Sequence, residues 1–328
     1  MNSFGRNFRV QIFGQSHGEY VGVVIDGCPP GINITPEDFK EDIERRKPGA
    51  KGTTPRKEDD IPQIISGVFN DKSAGSPITI LFKNSNTRSG DYEKQRAVPR
   101  PGHADFVAHK KFKGFEDFRG GGHFSGRLTV ALVAAGVVAK KVVDSFSTDK
   151  KIKIQATILE IGGEKNLEKG LQKAIEAKDS VGGIVECVVS NLPIGLGEPF
   201  FDSAESLISH AVFSIPAVKG VEFGAGFAAA KMFGMEHNDA IINADGTTAT
   251  NNAGGIVGGI TNGNELVFRI VVKPTSSTPK EQQTLNVESG NVESFSVKGR
   301  HDLCIALRVP VVLEAVTAIV LADLLSLK

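Results

Sequence analysis

Two strongly apolar stretches, residues 128–143 and 309–327, constrain the fold more than any other feature of this sequence. The most apolar part of the second stretch is interrupted by Glu314 and flanked by Arg308 and Asp323. A membrane span needs about 20 consecutive apolar residues and tolerates such charges poorly. We therefore expect two buried core helices, and no interaction with a membrane.

Shorter segments rich in apolar residues predict strands before the first helix and between the two helices. The Asn262-Gly263 pair predicts a hairpin between the last two runs, because this dipeptide readily forms a two-residue turn. Hairpin signals outnumber strand–helix–strand units, which favours antiparallel pairing. The candidate strands are residues 8–13, 21–26, 63–69, 77–82, 151–161, 182–190, 256–260 and 266–272.

The expected architecture is a single domain of the α+β class, spanning residues 1–328. Residues 203–213 are a candidate helix. Thr35 followed by Pro36 predicts the start of another, because a hydroxyl N-cap and a proline in the first turn favour helix initiation. That helix must end at Lys47, since a proline comes next. Only residues 273–283 have the composition of a linker between domains.

The composition excludes several classes of protein. Lysine plus arginine and aspartate plus glutamate each total 38, so no net charge attracts nucleic acid or anionic lipid. Three widely spaced cysteines form no CxxC pair, and no HExxH motif or acidic clamp occurs, so we expect neither a disulfide scaffold nor a metal. The first residues lack the apolar core of a signal peptide, so a cytoplasmic location is expected.

Glycine-rich loops carry the residues best suited to chemistry. Four of the seven histidines lie in loops dense in glycine or arginine, namely His17, His103, His123 and His301. Histidine moves protons near neutral pH, and arginine binds phosphate and carboxylate in a bidentate manner. The arginines of these regions are Arg45, Arg46, Arg56, Arg88, Arg96, Arg100, Arg119 and Arg127. Local positive charge in a neutral chain indicates a small polyanionic ligand.

Two further segments have alternative interpretations. Residues 224–229 match the GxGxxA pattern of dinucleotide-binding loops, but they lie late in the chain and outside a clear strand–helix–strand unit, so we assign no nucleotide site there. Residues 273–279 combine one lysine with prolines and hydroxyl side chains. Such a segment suits either a linker or a cradle for a phosphate or a heterocycle, and composition alone favours the linker.

Six short motifs occur in a fixed order along the chain. They are residues 13–18 (FGQSHG), 45–49 (RRKPG), 100–105 (RPGHAD), 118–122 (FRGGG), 273–277 (KPTSS) and 299–302 (GRHD). Together they resemble the chorismate synthase family over essentially the whole chain. The resemblance implies a lyase of aromatic amino acid biosynthesis (the shikimate pathway) that converts 5-enolpyruvylshikimate 3-phosphate to chorismate and phosphate by anti-1,4-elimination. It also implies reduced FMN as cofactor without net redox change, a β-α-β sandwich and a homotetramer.

The same resemblance implies roles for individual residues. His17 would protonate or orient the departing phosphate, His103 would keep the reduced flavin in its working protonation state, and Asp302 would act with the flavin N5 in removing the ring proton. Arg46, Arg100 and Arg127 would bind substrate anions, and Arg46 would also contact NADPH. The implied flavin-binding positions are His123, Phe124, Ser125, Ala217, Gly258, Lys273, Pro274, Thr275, Ser276, Ser277 and Arg300.

The chain departs from the usual family pattern at several positions. Gln15 replaces a glutamate, and His123 and Phe124 stand where arginine and serine are common. Pro216 replaces a frequent asparagine, and Leu303 replaces a proline. Two alternatives stay open, a flavin-dependent oxidoreductase acting on a phosphorylated carboxylic acid and a non-catalytic binder of phosphorylated metabolites. Either NADPH or an external flavin reductase would supply the electrons for the flavin.

Overall fold

Two long helices lie between two antiparallel sheets in the computed structural model. The structure describes residues 2–54, 58–85, 96–147, 150–297 and 301–327. The helices correspond to the two apolar stretches of the sequence; they pack against each other, and each also packs on one sheet. The expected α+β class and β-α-β sandwich are both confirmed.

The described helices and strands have the following bounds. The helices are α1 (Lys40–Arg46), α2 (Asp105–Phe112), α3 (Thr129–Ser145), α4 (Leu167–Ala177), α5 (Ala204–Val212), α6 (Gly234–His237) and α7 (Val309–Leu325). The strands are β1 (Ser3–Phe4), β2 (Arg9–Gly14), β3 (Tyr20–Asp26), β4 (Gln63–Ser66), β5 (Val68–Phe69), β6 (Lys72–Ser73), β7 (Ile78–Lys83), β8 (Lys153–Ile161), β9 (Gly183–Ser190), β10 (Val218–Phe223), β11 (Ile256–Val257), β12 (Ile260–Thr261), β13 (Leu266–Val272), β14 (Gln282–Leu285) and β15 (Val292–Phe295). The predicted helix end at Lys47 is confirmed, because this residue is the C-cap of α1.

Neighbouring strands run antiparallel in both large sheets. The five-stranded sheet has the order β1-β2-β3-β7-β4 and packs on α3, whereas the four-stranded sheet has the order β10-β13-β9-β8 and packs on α7. Val21, Val23 and Ile25 alternate along β3 and are fully buried. Because alternate residues of a strand share one face, this spacing turns one face of the sheet into the core.

A buried ionic cluster accounts for the charge inside the second apolar helix. Glu314 of α7 is 3% exposed, and each of its carboxylate oxygens accepts a 2.7 Å hydrogen bond from the guanidinium of Arg45. Lys140 of α3 and the backbone N–H of Ala156 donate to the same carboxylate at 3.3 and 3.0 Å. A buried carboxylate is costly unless it is paired, so these bonds let α7 carry a charge in the core.

The segment Ile305–Leu325 is apolar and long enough to cross a membrane by length and composition alone, but 78% of its most apolar window is buried within the protein. Near its end, Oδ1 of Asp323 accepts hydrogen bonds from three consecutive backbone N–H groups, those of Arg6, Asn7 and Phe8, at 2.8, 2.7 and 2.9 Å. A core helix fits both observations.

The hairpin predicted at Asn262-Gly263 is wrong. Instead β11 pairs with β12 through a turn at Gly258-Gly259, and β13 is an inner strand between β10 and β9. Gly258 and Gly259 have φ angles of 63° and 88°, which glycine adopts without strain. The turn therefore comes before Asn262-Gly263, and β13 pairs in the four-stranded sheet instead of with β11.

The close approach of the central helices gives a test of the core. A Cβ added to Gly136 of α3 would lie 2.3 Å from the Cβ of Ala315 of α7. We expect Gly136→Ala to lower the free energy of unfolding by about 1–2 kcal/mol, because the overlap separates the helices and outweighs the better helix propensity of alanine. The measurement is urea denaturation.

Gly234→Ala is the matched control, since Gly234 lies in α6 with no atom within 4 Å of an added Cβ. Its denaturation midpoint should stay the same or rise slightly. A midpoint for Gly136→Ala equal to that of the unmodified protein would contradict the close packing of α3 and α7.

Candidate active site

A cavity of about 660 Å³ lies at the N-terminal ends of the two central helices. Thr129 is the first residue of α3, Val309 is the first residue of α7, and both line the cavity. The aligned peptide dipoles of a helix place partial positive charge at its N-terminus, which favours bound anions. The two helices therefore contribute a positive potential to the same space.

A triglycine segment packs its backbone against two cavity histidines. His17, in the loop after β2, is 7% exposed, and a Cβ added to Gly120 would lie 2.3 Å from its Cε1 atom. A Cβ added to Gly121 would lie 3.1 Å from Cε1 of His103. Residues 120–122 all have positive φ. Glycine is thus needed here both for the backbone conformation and for the contact with the imidazole rings.

A carboxylate holds His103 together with an arginine. Nδ1 of His103 lies 2.5 Å from Oδ1 of Asp105, and Nε and Nη2 of Arg100 donate to the same carboxylate at 2.7 and 2.8 Å. Burial would raise the pKa of Asp105, but hydrogen bonds from Arg100 and His103 outweigh it and hold this pKa well below its usual range. The ionised carboxylate therefore fixes both side chains at the cavity wall.

Arg46 and Arg127 share one buried carboxylate, that of Asp60. Nη1 of Arg46 lies 3.2 Å from Oδ2 of Asp60, and Nη1 of Arg127 donates to Oδ1. Arg46 also donates to Oγ1 of Thr129 and to backbone carbonyl oxygens at the start of α3. Burial, with a further effect of the charge of Arg308, lowers the pKa of Arg46 to about 9, so its guanidinium is still protonated at neutral pH.

Asp302 is held at the cavity by two donors. Its Oδ1 accepts a 2.8 Å hydrogen bond from the backbone N–H of Thr54, and its Oδ2 accepts one of 3.2 Å from Nη1 of Arg308. Nε of Arg308 donates in turn to the carbonyl oxygen of Arg46 at 2.9 Å. Asp302, Thr54 and Arg308 all line the cavity.

Seven of the eleven implied flavin-binding positions line this cavity, namely Phe124, Ser125, Ala217, Lys273, Thr275, Ser276 and Ser277. His123 lines a neighbouring cavity, where its Nδ1 lies 2.8 Å from the carbonyl oxygen of Gly14. Pro274 and Gly258 line neither cavity, and Gly258 is exposed in the turn between β11 and β12. Arg300 lies outside the described residues. The segment interpreted from composition as a linker is therefore cavity wall.

Lys273 and Thr275 give that wall its polar character. Nζ of Lys273 donates to Oγ of Ser276 at 2.8 Å, and burial, together with the nearby charge of Lys219, lowers the pKa of Lys273. Among the described residues, Oγ1 of Thr275 is buried and has no hydrogen-bond partner. Apolar side chains also line the cavity, among them Phe213, Ile215, Val218, Ile305 and Val312.

Among the charged residues of the cavity that were not predicted from the sequence are Arg308, Lys219 and Asp60. The sequence position of Arg308 could have identified it, because it directly precedes the second apolar stretch as Arg127 directly precedes the first. Lys219 and Asp60 had no such signal, since each acquires its neighbours only through the fold. Within the part of the chain that the structure describes, no group of three His, Cys, Asp or Glu side chains could hold a metal ion.

Comparison with known proteins agrees with this geometry. The family model described as chorismate synthase matches residues 8–326. The chain belongs to the chorismate synthase family. It is similar to the chorismate synthase of Chitinophaga pinensis, at 71% identity over 328 residues, covering 100% of this chain and 97% of that protein. The chorismate synthase of Dehalococcoides mccartyi is 44% identical over 353 residues, covering 98% of this chain and 96% of that protein.

A solved structure supports the same membership. The crystal structure of a chorismate synthase matches this fold with a TM-score of 0.74 at 26% sequence identity, covering 98% of this chain and 92% of that chain. These similarities confirm the resemblance found in the six motifs, and with it the expected lyase activity of aromatic amino acid biosynthesis.

The contact between Gly120 and His17 predicts a loss of activity without a large loss of stability. In Gly120→Ala, the new Cβ would overlap the His17 ring, and the positive φ would add about 1 kcal/mol of strain. We expect the rate of chorismate formation to fall at least about tenfold, because the ring must move from its position. Gly126→Ala is the matched control: Gly126 lines the same cavity with no atom within 4 Å of an added Cβ, so near-normal rates are expected. Equal rates for the two variants would contradict the positioning role.

The lowered pKa of Asp105 predicts a pH-dependent contribution to stability. A carboxylate whose native pKa is depressed stabilises the fold above its unfolded-state pKa of about 3.9, and loses that effect as the pH falls through the native pKa. Asp105→Asn should therefore cost on the order of 2 kcal/mol at pH 7 and less at pH 3, as measured by denaturant unfolding. Asp26→Asn, which removes an exposed pair with Arg9, should cost less at pH 7. A cost for Asp105→Asn that is as large at pH 3 as at pH 7 would rule out this linkage.

Proposed function

We propose that the 660 Å³ cavity is the site at which the chain eliminates phosphate from 5-enolpyruvylshikimate 3-phosphate to give chorismate, with reduced FMN bound beside the substrate. One observation carries the proposal: His17, His103 and Asp302, far apart in the sequence, line one cavity together with several arginines. The cavity volume also lies within the range of about 300–1,000 Å³ that is usual for ligand sites.

The substrate anions are proposed to bind at the cationic wall. The substrate carries one phosphate and two carboxylates, so it needs several positive groups in a small space. Arg100 and Arg127 are proposed to bind these anions directly, joined by Arg308. Arg46 contributes its charge from within the wall, since it is 2% exposed and donates to Thr129 and to backbone carbonyls. Contact of NADPH with Arg46 stays a prediction.

Proton handling is assigned to three side chains. The elimination breaks a C–O bond to phosphate and a C–H bond of the ring, so it needs an acid at the phosphate and an acceptor for the ring proton. His17 is proposed to protonate or orient the departing phosphate. Asp302, oriented by Thr54 and Arg308, is proposed to remove the ring proton. His103, fixed by Asp105, is proposed to maintain the protonation state beside the cofactor.

The cavity residues fit a flavin. The apolar wall suits a planar ring system, and the hydroxyls of residues 275–277 suit its polar edge and phosphate. The buried Oγ1 of Thr275 supports this fit, because an unpaired buried hydroxyl is costly and a ligand would pair it. Reduced FMN, when bound, supplies electron density to the substrate as the C–O bond breaks. The roles of His123, Pro274, Gly258 and Arg300 stay predictions.

The organisation of the protein is also part of the proposal. A single domain is supported by one continuous buried core that includes both sheets and both central helices. A homotetramer is supported by large apolar side chains left exposed on one chain, among them Phe227, Phe233 and Met235. A cytoplasmic location, and reduction of the flavin by NADPH or by an external reductase, are proposed from the family alone.

The decisive assay is anaerobic. Purified protein, dithionite-reduced FMN and 5-enolpyruvylshikimate 3-phosphate are mixed, and phosphate release and chorismate absorbance are followed together. We expect His17→Ala and His103→Ala each to reduce turnover on the order of 10²-fold or more, as is usual for loss of a general acid or base.

His210→Ala is the control for these variants. His210 lies in α5, where its ring makes an edge contact with Phe4 at 5.3 Å, and it does not line the cavity. Its removal should leave turnover within about twofold of normal. Normal turnover in both cavity variants would remove the assigned roles, and absence of phosphate release by the unmodified protein would remove the proposed reaction.

A further inference from the structure

A second cavity of about 510 Å³ borders the first. The two share a wall, because Arg100, His103, Ala104 and Phe124 line both. Outside the shared wall, the only residue of this cavity with an implied flavin role is His123, and no role given above to the substrate uses the rest of this space. Its own wall includes α2, Arg96 from the segment before α2, and Glu116 from the loop between α2 and the triglycine segment.

Phenylalanine dominates the second cavity. Six of them line it, namely Phe13, Phe106, Phe112, Phe115, Phe118 and Phe124. The rings of Phe112 and Phe124 are tilted at 52° with centroids 6.3 Å apart, and Phe106 and Phe112 are more than two-fifths exposed. Exposed phenyl faces around a concavity favour an aromatic ring as ligand, because it would bury apolar area and make ring–ring contacts.

A buried carboxylate in the same wall calls for a positively charged donor. Oε1 of Glu116 lies 3.0 Å from Nδ1 of His109, and the Glu116 side chain is 10% exposed. Its second oxygen, Oε2, is buried and has no hydrogen-bond partner among the described residues. An unpaired carboxylate oxygen is costly in such a place, and an ammonium group would satisfy it.

The guanidinium of Arg96 lies in the same wall as the phenylalanine rings and Glu116. Arg96 lines the cavity, with its guanidinium carbon 5.3 Å from the centroid of the Phe118 ring. Among the described groups, its Nη2 donates to the carbonyl oxygen of Gly114 at 3.3 Å, and a guanidinium has five N–H donors. The Phe118 ring restrains the guanidinium of Arg96, and the N–H donors that remain suit it to bind a carboxylate.

We propose that this second cavity binds an aromatic α-amino acid. The phenylalanine side chains would receive the ring, Glu116 the ammonium group and Arg96 the carboxylate. Neither 5-enolpyruvylshikimate 3-phosphate nor FMN carries an ammonium group, so the site differs in chemistry from the site proposed for the reaction. Because Arg100 and His103 belong to both walls, its ligand would contact the loop that carries a residue assigned to catalysis.

The test is calorimetric titration of L-phenylalanine into the full chain without FMN or substrate. Saturable binding with one ligand per chain is expected. Glu116→Gln should weaken it about ten- to a hundredfold, because it removes the charge but keeps the shape. Glu205→Gln is the matched control: Oε2 of Glu205 is also buried without a partner among the described residues, but it lines neither cavity. It should leave the affinity unchanged.

Ligand analogues and one further variant identify the site. Phenylpropionate, which lacks the ammonium group, and L-alanine, which lacks the ring, should each bind at least about tenfold more weakly. Lys273→Gln changes the first cavity and should leave the affinity for L-phenylalanine unchanged. Absence of saturable binding, equal affinity in Glu116→Gln, or loss of affinity in Lys273→Gln would each overturn the proposal. None of these readouts depends on the lyase reaction, so failure here leaves the proposed function standing.

Discussion

α3 and α7 begin at one cavity because they touch early in their length, at Gly136 and Ala315. This contact lies about two turns after the start of each helix, and the first residue of each lines the cavity, so the helices run in the same direction at this level. Their positive ends and the loops that lead into them thus converge. A glycine without a side chain is what permits this convergence between two sheets.

Each arginine of the cavity is held by an acid from another part of the fold or of the same loop. Asp60 pairs with Arg46 and Arg127, and Asp105 and Asp302 hold the other two guanidinium groups. Such pairing fixes the donors before a ligand arrives, which reduces the entropy lost on binding. Among the described residues that line the cavity, six arginines and lysines outnumber three acids, so a chain with no net charge still presents a cationic pocket.

Local patterns in the sequence predicted the core helices and most strands, but not which strands and which side chains pair. The apolar runs at 8–13 and 182–190 match β2 and β9 within one residue, because period-2 alternation depends only on neighbours in the chain. The helix α4 was missed, and β13 was given the wrong partner, since strand pairing is decided by contacts distant in sequence. The histidines stood out by residue type and loop composition. Asp60 did not, because its partner Arg127 is 67 positions away.

The position of α7 along the chain has a consequence for how the protein folds. It follows every other described element, yet it lies in the central layer, and its Asp323 binds backbone groups of residues 6–8. On the ribosome, the face of the four-stranded sheet that packs on α7 must therefore stay uncovered until this segment emerges. High contact order of this kind slows folding and prolongs exposure of apolar surface, so the nascent chain is a natural client for chaperones.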